Sequence, residues 1–130
     1  MMKQGRTMNR KHLPTTRKGI THKLTIHSKE GKVRIYFTVG LFEDGQPGEL
    51  FIKVDKDGQA LDGSLKSWAL AISMLLQSGW DVESLHNKFS CISHEPSGIT
   101  EGDKIHFAKS PEDYIINWMK KEFCKDDNNM

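Results

Sequence analysis

The chain has 130 residues, 36% hydrophobic and 28% charged, with a formal net charge of +2; this supports one ordinary globular domain and argues against bulk nucleic-acid binding. No apolar run approaches the ~20 residues of a membrane span, and no apolar segment follows the basic N-terminus as in a signal peptide, so a cytoplasmic protein without membrane contact is expected. Cys91 and Cys124 lie far apart and suggest no disulfide framework, which reads as reduced thiols.

Residues 1–18 show no periodicity and read as an irregular arm, with Pro14 opposing any helix. The arm is basic: the first 29 residues hold Lys3, Arg6, Arg10, Lys11, Arg17, Lys18, Lys23 and Lys29 but no Asp or Glu. Such an arm suits a phosphate or an acidic partner, or stands solvated as a leader.

From residue 20 to 27 the side chains alternate, with Ile20, His22, Leu24 and Ile26 on one face and Thr21, Lys23 and Thr25 on the other. After the turn SKEG, Val33, Ile35, Phe37 and Val39 repeat the pattern, opposite Arg34, Tyr36 and Thr38. EDGQPG is a loop whose proline is expected to end pairing. A third strand over 49–55 turns Leu50, Ile52 and Val54 one way. Three strands with short connections make an antiparallel meander with one wet face and one that needs a cover.

Leu65, Trp68, Ala69, Ile72, Leu75 and Leu76 fall at helical spacing and supply that cover, stopping at Gly79. Asp81 caps a short helix with Val82, Leu85 and Phe89 inward. Residues 90–109 are rich in turns, with a short strand near 91–93. Ser110 caps the last helix, Pro111 fits its first turn, and Glu112 and Asp113 complement its dipole. Tyr114, Ile115, Trp118, Met119 and Phe123 form its apolar face. The expected fold is α+β: a small antiparallel three-stranded sheet, extended by that short fourth strand, with helices on one face. The domain spans 19–124, between the arm and a polar tail at 125–130.

The stretch DKDGQALDGS runs from a strand end into a helix start, where free backbone N–H groups can hold a phosphate. Gly58 and Gly63 would let the ligand approach. Asp57 and Asp62 oppose an anion unless Lys53 or Lys56 offsets them. The spacing matches neither a triphosphate P-loop nor a dinucleotide fingerprint, and a plain turn without ligand is the alternative. Cys91 and His94 have ligand-like spacing, but no second tight pair completes a zinc set, so no metal is expected. No nucleophile with an activating base is legible, so no catalytic residue is assigned. Tyr36 and Phe51, opposite their strands' apolar sets, are the aromatics free to stack on a base.

Five segments, LPTTRKGITHKLTI, VGLFEDGQPGELFIKVDKDG, WALAISMLLQSGW, KFSCISHEPSGIT and AKSPEDYIINWM, follow one another in order. Together they resemble the TSCPD domain found toward the C-terminus of adenosylcobalamin-dependent ribonucleotide reductases, over about residues 11–123. The resemblance implies ancestry and not reductase activity. This chain has no room for the radical barrel of those enzymes, and its cysteines match none of their redox roles. Where the family reads like K-E-G-S-T, this sequence has KDGQA, and Asp62 and Lys66 replace smaller or apolar residues.

These readings lead to a free-standing, non-catalytic binding protein for a nucleotide or other phosphorylated small molecule, without a cofactor, acting by sequestration or sensing. Lys53, Lys56, Gly58, Gln59 and Gly63 would line its loop, with Arg17, His22 and Lys23 from the opening motif and Tyr36 or Phe51 as a stacking surface. Gln59 would bond a base or sugar edge. A homo-oligomer through exposed sheet edges is expected. The alternative is a module docking on a separately encoded ribonucleotide reductase; an independent hydrolase is a distant third.

Overall fold

The period-two segments fold as three antiparallel strands, β1 (Gly19–Ser28), β2 (Gly31–Leu41) and β3 (Pro47–Val54), in a computed structural model that describes residues 11–55 and 59–124. Register stacks their apolar sets on one face: Phe37 stands between His22 of β1 and Ile52 of β3, and Ile35 between Leu24 and Val54. Leu24, Ile35, Phe37, Ile52 and Val54 are all buried. Pro47 opens β3 opposite Leu41, where the register shifts after Gly40, instead of ending the pairing as expected. A proline at the first residue of an edge strand gives up no ladder N–H.

The sheet has five strands, in the order β3-β2-β1-β4-β5. The fourth strand is not at 91–93, where the chain turns with Cys91 at φ 67. It is β4 (Gly98–Thr100), which pairs with β1 through Ile26 and His27 and carries β5 (Phe107–Ala108) on its other side. Gly98 has φ 150, and a Cβ there would run into the His27 carbonyl, so only glycine lets β4 come this close.

Helix α1 (Gln59–Gln77) packs along β3 with Leu65, Ala69, Ile72 and Leu76 buried in its inward stripe. Gly79, at φ 105, ends that stretch as the spacing implied. The two expected caps form. Asp81 accepts the Ser84 N–H at 2.8 Å ahead of α2 (Val82–Phe89), and Ser110 accepts the Asp113 N–H at 3.0 Å ahead of α3 (Pro111–Phe123). Each such cap contributes ~1 kcal/mol. Helices α2 and α3 pack together, and α3 closes the sheet, with the Trp118 ring 5.1 Å from that of Phe37. No helix among the described residues is long and apolar enough to cross a membrane.

Residues 11–18 are irregular but anchored. The Lys11 N–H donates to the Gln77 carbonyl at 2.8 Å, the Leu41 N–H to the Lys18 carbonyl at 2.9 Å, and the Lys11 ammonium pairs with Asp44 at 3.1 Å. The rest of the arm, residues 1–10, and the tail at 125–130 lie outside the described residues, as do Lys56 and Gly58.

Candidate functional site

β3 is an edge strand, so its alternate backbone groups face away from β2. They meet side chains of α1 instead of another strand. The Ser73 hydroxyl accepts the Leu50 N–H at 2.8 Å, Asp62 accepts the Val54 N–H at 2.9 Å, and the Gln77 amide donates to the Gly48 carbonyl at 3.0 Å. Alongside Ile52 a cleft of about 620 Å³ opens over the strand, lined among others by Tyr36, Phe51, Lys53, Lys66, Leu70 and Ser73. Its rim is apolar, with Phe51 57% and Leu70 63% exposed.

The wet face of the sheet continues from that cleft. Register sets Lys23, Tyr36 and Lys53 in one row across β1, β2 and β3, and Thr21, Thr38 and Phe51 in the next. The Lys23 ammonium lies 6.0 Å from the centre of the Tyr36 ring, and the Thr21 and Thr38 hydroxyls are 2.8 Å apart. Arg34 follows Tyr36 on the same face of β2. Among the described residues, Lys23, Arg34 and Lys53 have no carboxylate within ion-pair distance, whereas Lys66 is held by Asp62 at 2.8 Å. The lysine contact and the Val54 N–H keep the Asp62 carboxyl below its usual range. Asp62 and Lys66 thus pair with each other beside the start of α1, where Asp62 also holds the end of β3.

The residues singled out from the sequence separate into groups. Tyr36, Phe51 and Lys53 line the cleft, and Lys23 stands beside it. Arg17 bonds both carboxylate oxygens of Glu49 at 3.0 Å, neutralising an acid at the end of the cleft. Gly63 lies inside α1, not in the preceding loop, with open space where a Cβ would point. Lys56 and Gly58 lie outside the described residues; Gln59 begins α1, and its side chain lies outside them too. Arg34, Lys66, Leu70 and Ser73 are not among the ligand residues expected from the sequence. The helical spacing of Lys66, Leu70, Ser73 and Gln77 along one flank was readable, but not which strand that flank would meet.

His22 is on the opposite face from Lys23, because consecutive strand residues point to opposite sides. Its Nε2 is 2.9 Å from the Tyr114 hydroxyl, and its ring lies 5.2 Å from Phe37 and 5.3 Å from Trp118. Burial pushes the His22 pKa down from its ordinary value, partly offset by Glu122 and Asp103, and pushes the Tyr114 phenol up. A histidine that resists protonation when folded takes its proton more readily in the unfolded chain. Its contribution is therefore complete above about pH 6.5 and declines as pH falls below that value. Asp44, Asp81 and Glu101, whose pKa values are lowered chiefly by hydrogen bonds, lose their contributions only at more acid pH, below about 4. In thermal melts from about pH 8 to about pH 2.5, His22→Gln is expected to flatten the first decline and keep the second. Superimposable profiles for the two proteins would refute this role.

Among the described residues no group of three or more His, Cys, Asp or Glu side chains is arranged to hold a metal ion. His94 contacts the Glu112 carboxylate and the Glu95 carbonyl, each at 2.9 Å, and Cys91 offers its backbone N–H to Asp113.

The family model for the TSCPD domain matches residues 6–123. The chain belongs to the TSCPD family. This TSCPD domain is 43% identical over 110 residues to a vitamin B12-dependent ribonucleotide reductase of Rhodopirellula baltica, covering 85% of this chain and 10% of that protein. It is 35% identical over 114 residues to the protein so named in Streptantibioticus cattleyicolor (88% and 18% covered) and 37% identical over 108 residues to that of Agrobacterium fabrum (82% and 8%). The chain therefore spans less than a fifth of the length of these curated relatives. No solved structure matches it.

Proposed function

We propose that this TSCPD domain binds a nucleotide or related phosphorylated ligand in the cleft over β3 and holds it without turnover, in a sequestering or sensing role. The supporting observation is the row Lys23–Tyr36–Lys53 next to Phe51, a stacking surface between two lysines that, among the described residues, have no carboxylate within ion-pair distance. A base stacked on an exposed aromatic ring contributes ~1–3 kcal/mol. Lysines beside that ring attract the phosphate, and the apolar rim excludes water from it. The sequence reading of the strand–helix loop as a phosphate cradle adds Lys56 and Gln59 as candidates, whose side chains lie outside the described residues.

Thermal-shift screening against nucleoside mono-, di- and triphosphates tests this. A ligand at a hundred times its Kd adds ~2.7 kcal/mol of native-state stability. Lys53→Gln is expected to weaken binding roughly tenfold, as befits the loss of one phosphate contact of ~1–2 kcal/mol, with the ligand recovered intact from the heated complex. No shift with any nucleotide would end this reading.

A second reading is favoured by Phe51, Leu70 and Met74, which are 57%, 63% and 57% exposed near the cleft. Such a patch suits a protein contact, and the relatives suggest docking on a vitamin B12-dependent ribonucleotide reductase. The same rim would also suit a contact between copies of this chain, since side chains of α1 already bond the β3 edge. Co-elution with a purified reductase, or a concentration-dependent mass for the protein alone, separates these cases, and Leu70→Glu would abolish either.

A further inference from the structure

The cleft poses a narrower question, which rests on the nucleotide reading above: how many bases it takes. On the wet face, Tyr36 is opposite Lys53 and Thr38 is opposite Phe51. These four side chains form a two-by-two block in which the aromatic rings occupy one diagonal and Lys53 and Thr38 the other. Diagonal neighbours in an antiparallel pair are about 7–8 Å apart at the backbone, against 4.5–5.5 Å for opposed residues. Rings so placed on one sheet face stand side by side and do not clamp a single base between them. Each is its own platform, and aromatics on adjacent strands of an open sheet take successive bases of a single strand.

Lys53 is the common neighbour of both platforms, opposite Tyr36 and two residues from Phe51 on the same face. That is where a phosphate linking two stacked nucleosides falls. Lys23 flanks Tyr36 on its other side, and Arg34 continues along β2, so the cations extend past the block in one direction. The neighbouring carboxylates are largely engaged: Glu49 by Arg17, Asp62 by Lys66, and Glu101 by His27 and Lys32. Asp55, just past β3, is a further carboxylate at the Arg34 end of the face, its backbone N–H bonded to the Arg34 carbonyl. The face is thus complementary to a short run of phosphates, while a net charge of +2 gives no general attraction for duplex.

We infer that the ligand is a single-stranded oligonucleotide of at least two residues, with one base on Tyr36, the next on Phe51, and the phosphodiester between them on Lys53. The Thr21 and Thr38 hydroxyls, paired beside Phe51, offer polar contacts to the edge of the second base.

Calorimetric titration of the full chain with thymidine monophosphate, the dinucleotide pTpT, a thymidine tetranucleotide and a short duplex tests the inference. The dinucleotide is expected to bind about tenfold or more tighter than the mononucleotide, since the second platform adds a stacked base. Tyr36→Ala and Phe51→Ala should each remove most of that advantage while melting close to the parent, because both side chains are exposed. Lys53→Gln should reduce the salt dependence of dinucleotide binding between about 50 and 200 mM. Equal affinity for mono- and dinucleotide, or a dinucleotide advantage that survives both aromatic substitutions, would overturn the two-base assignment and leave nucleotide binding intact. Preference for duplex would overturn it as well. Failure of every nucleotide would overturn both readings and favour the protein contact.

Discussion

Phe37→Ala is expected to destabilise the protein by about 3–5 kcal/mol, placing it among the costliest single substitutions in this chain. Its side chain is fully buried in the inner strand β2, which has β3 on one side and β1 on the other. His22 and Ile52 stand beside it on the neighbouring strands, and α3 covers it, with the Trp118 ring at 5.1 Å and the Tyr114 ring at 6.5 Å, both edge-on. Strands on both sides and a capped helix above leave little freedom to collapse into the space, so the cavity term adds to the lost transfer energy. For a domain of this size the loss corresponds to a fall in Tm of about 10–20 °C. Phe51→Ala is the control. It removes the same ring from a side chain 57% exposed, and its effect on stability should stay within ~0.5 kcal/mol. Urea unfolding of both variants reads the contrast directly, and a Phe37→Ala loss below about 1.5 kcal/mol would mean the sheet is not packed as described.

Asp113→Ala should cost about 3 kcal/mol, for a different reason. From the sequence, Asp113 is an acidic residue in the first turn of a helix, worth a few tenths of a kcal/mol against the dipole. In the fold it is 5% exposed and organises the long connection ahead of its own helix. Its carboxylate accepts the Cys91 N–H at 2.7 Å, the Lys109 N–H at 3.2 Å and the Asn117 amide at 3.0 Å. Removing it strands the Cys91 and Lys109 N–H groups, while the Asn117 amide keeps the Asp113 carbonyl at 2.7 Å; hydrogen bonds to a charged acceptor carry about 1.5–3 kcal/mol each, less whatever water restores. Asp113→Asn keeps one carbonyl acceptor and should fall between the parent and the alanine variant. Amide hydrogen exchange locates the effect: Cys91 and Lys109 should lose protection first in Asp113→Ala, while β2 stays protected. A uniform loss of protection, or none, would contradict this role.

The contrast between these residues bears on how the fold was readable. Strand alternation at 20–27 and 33–39, the Asp81 and Ser110 caps, and the Leu65-to-Leu76 stripe depend on residues within a turn or two of one another. The side a strand residue faces follows from its parity, so the exposure of Tyr36 and Phe51 and the burial of Phe37 could be read in advance. β4 and β5 could not. At three and two residues they are too short to show a period, and β4 exists as a strand because β1 offers it an edge at His27 and Gly98 lets it approach. The burial of Asp113 belongs with them, because its partners lie 22 and 4 residues back along the chain.

The candidate site divides along the same line. Local sequence determined that two aromatics and several lysines would lie on a wet sheet face beside an amphipathic helix. Packing decided which of them are neighbours. Lys53 lies opposite Tyr36, and Phe51 opposite Thr38, because the β2–β3 register is set by a short loop and a shift at Gly40. His22 turned inward to meet Tyr114 of a helix 92 residues away. The outer flank of α1 became a cleft wall because Ser73, Asp62 and Gln77 bond to the exposed edge of β3. The direction of a side chain follows from the few bonds around it, but adjacency between strands and helices depends on register and burial across the whole chain.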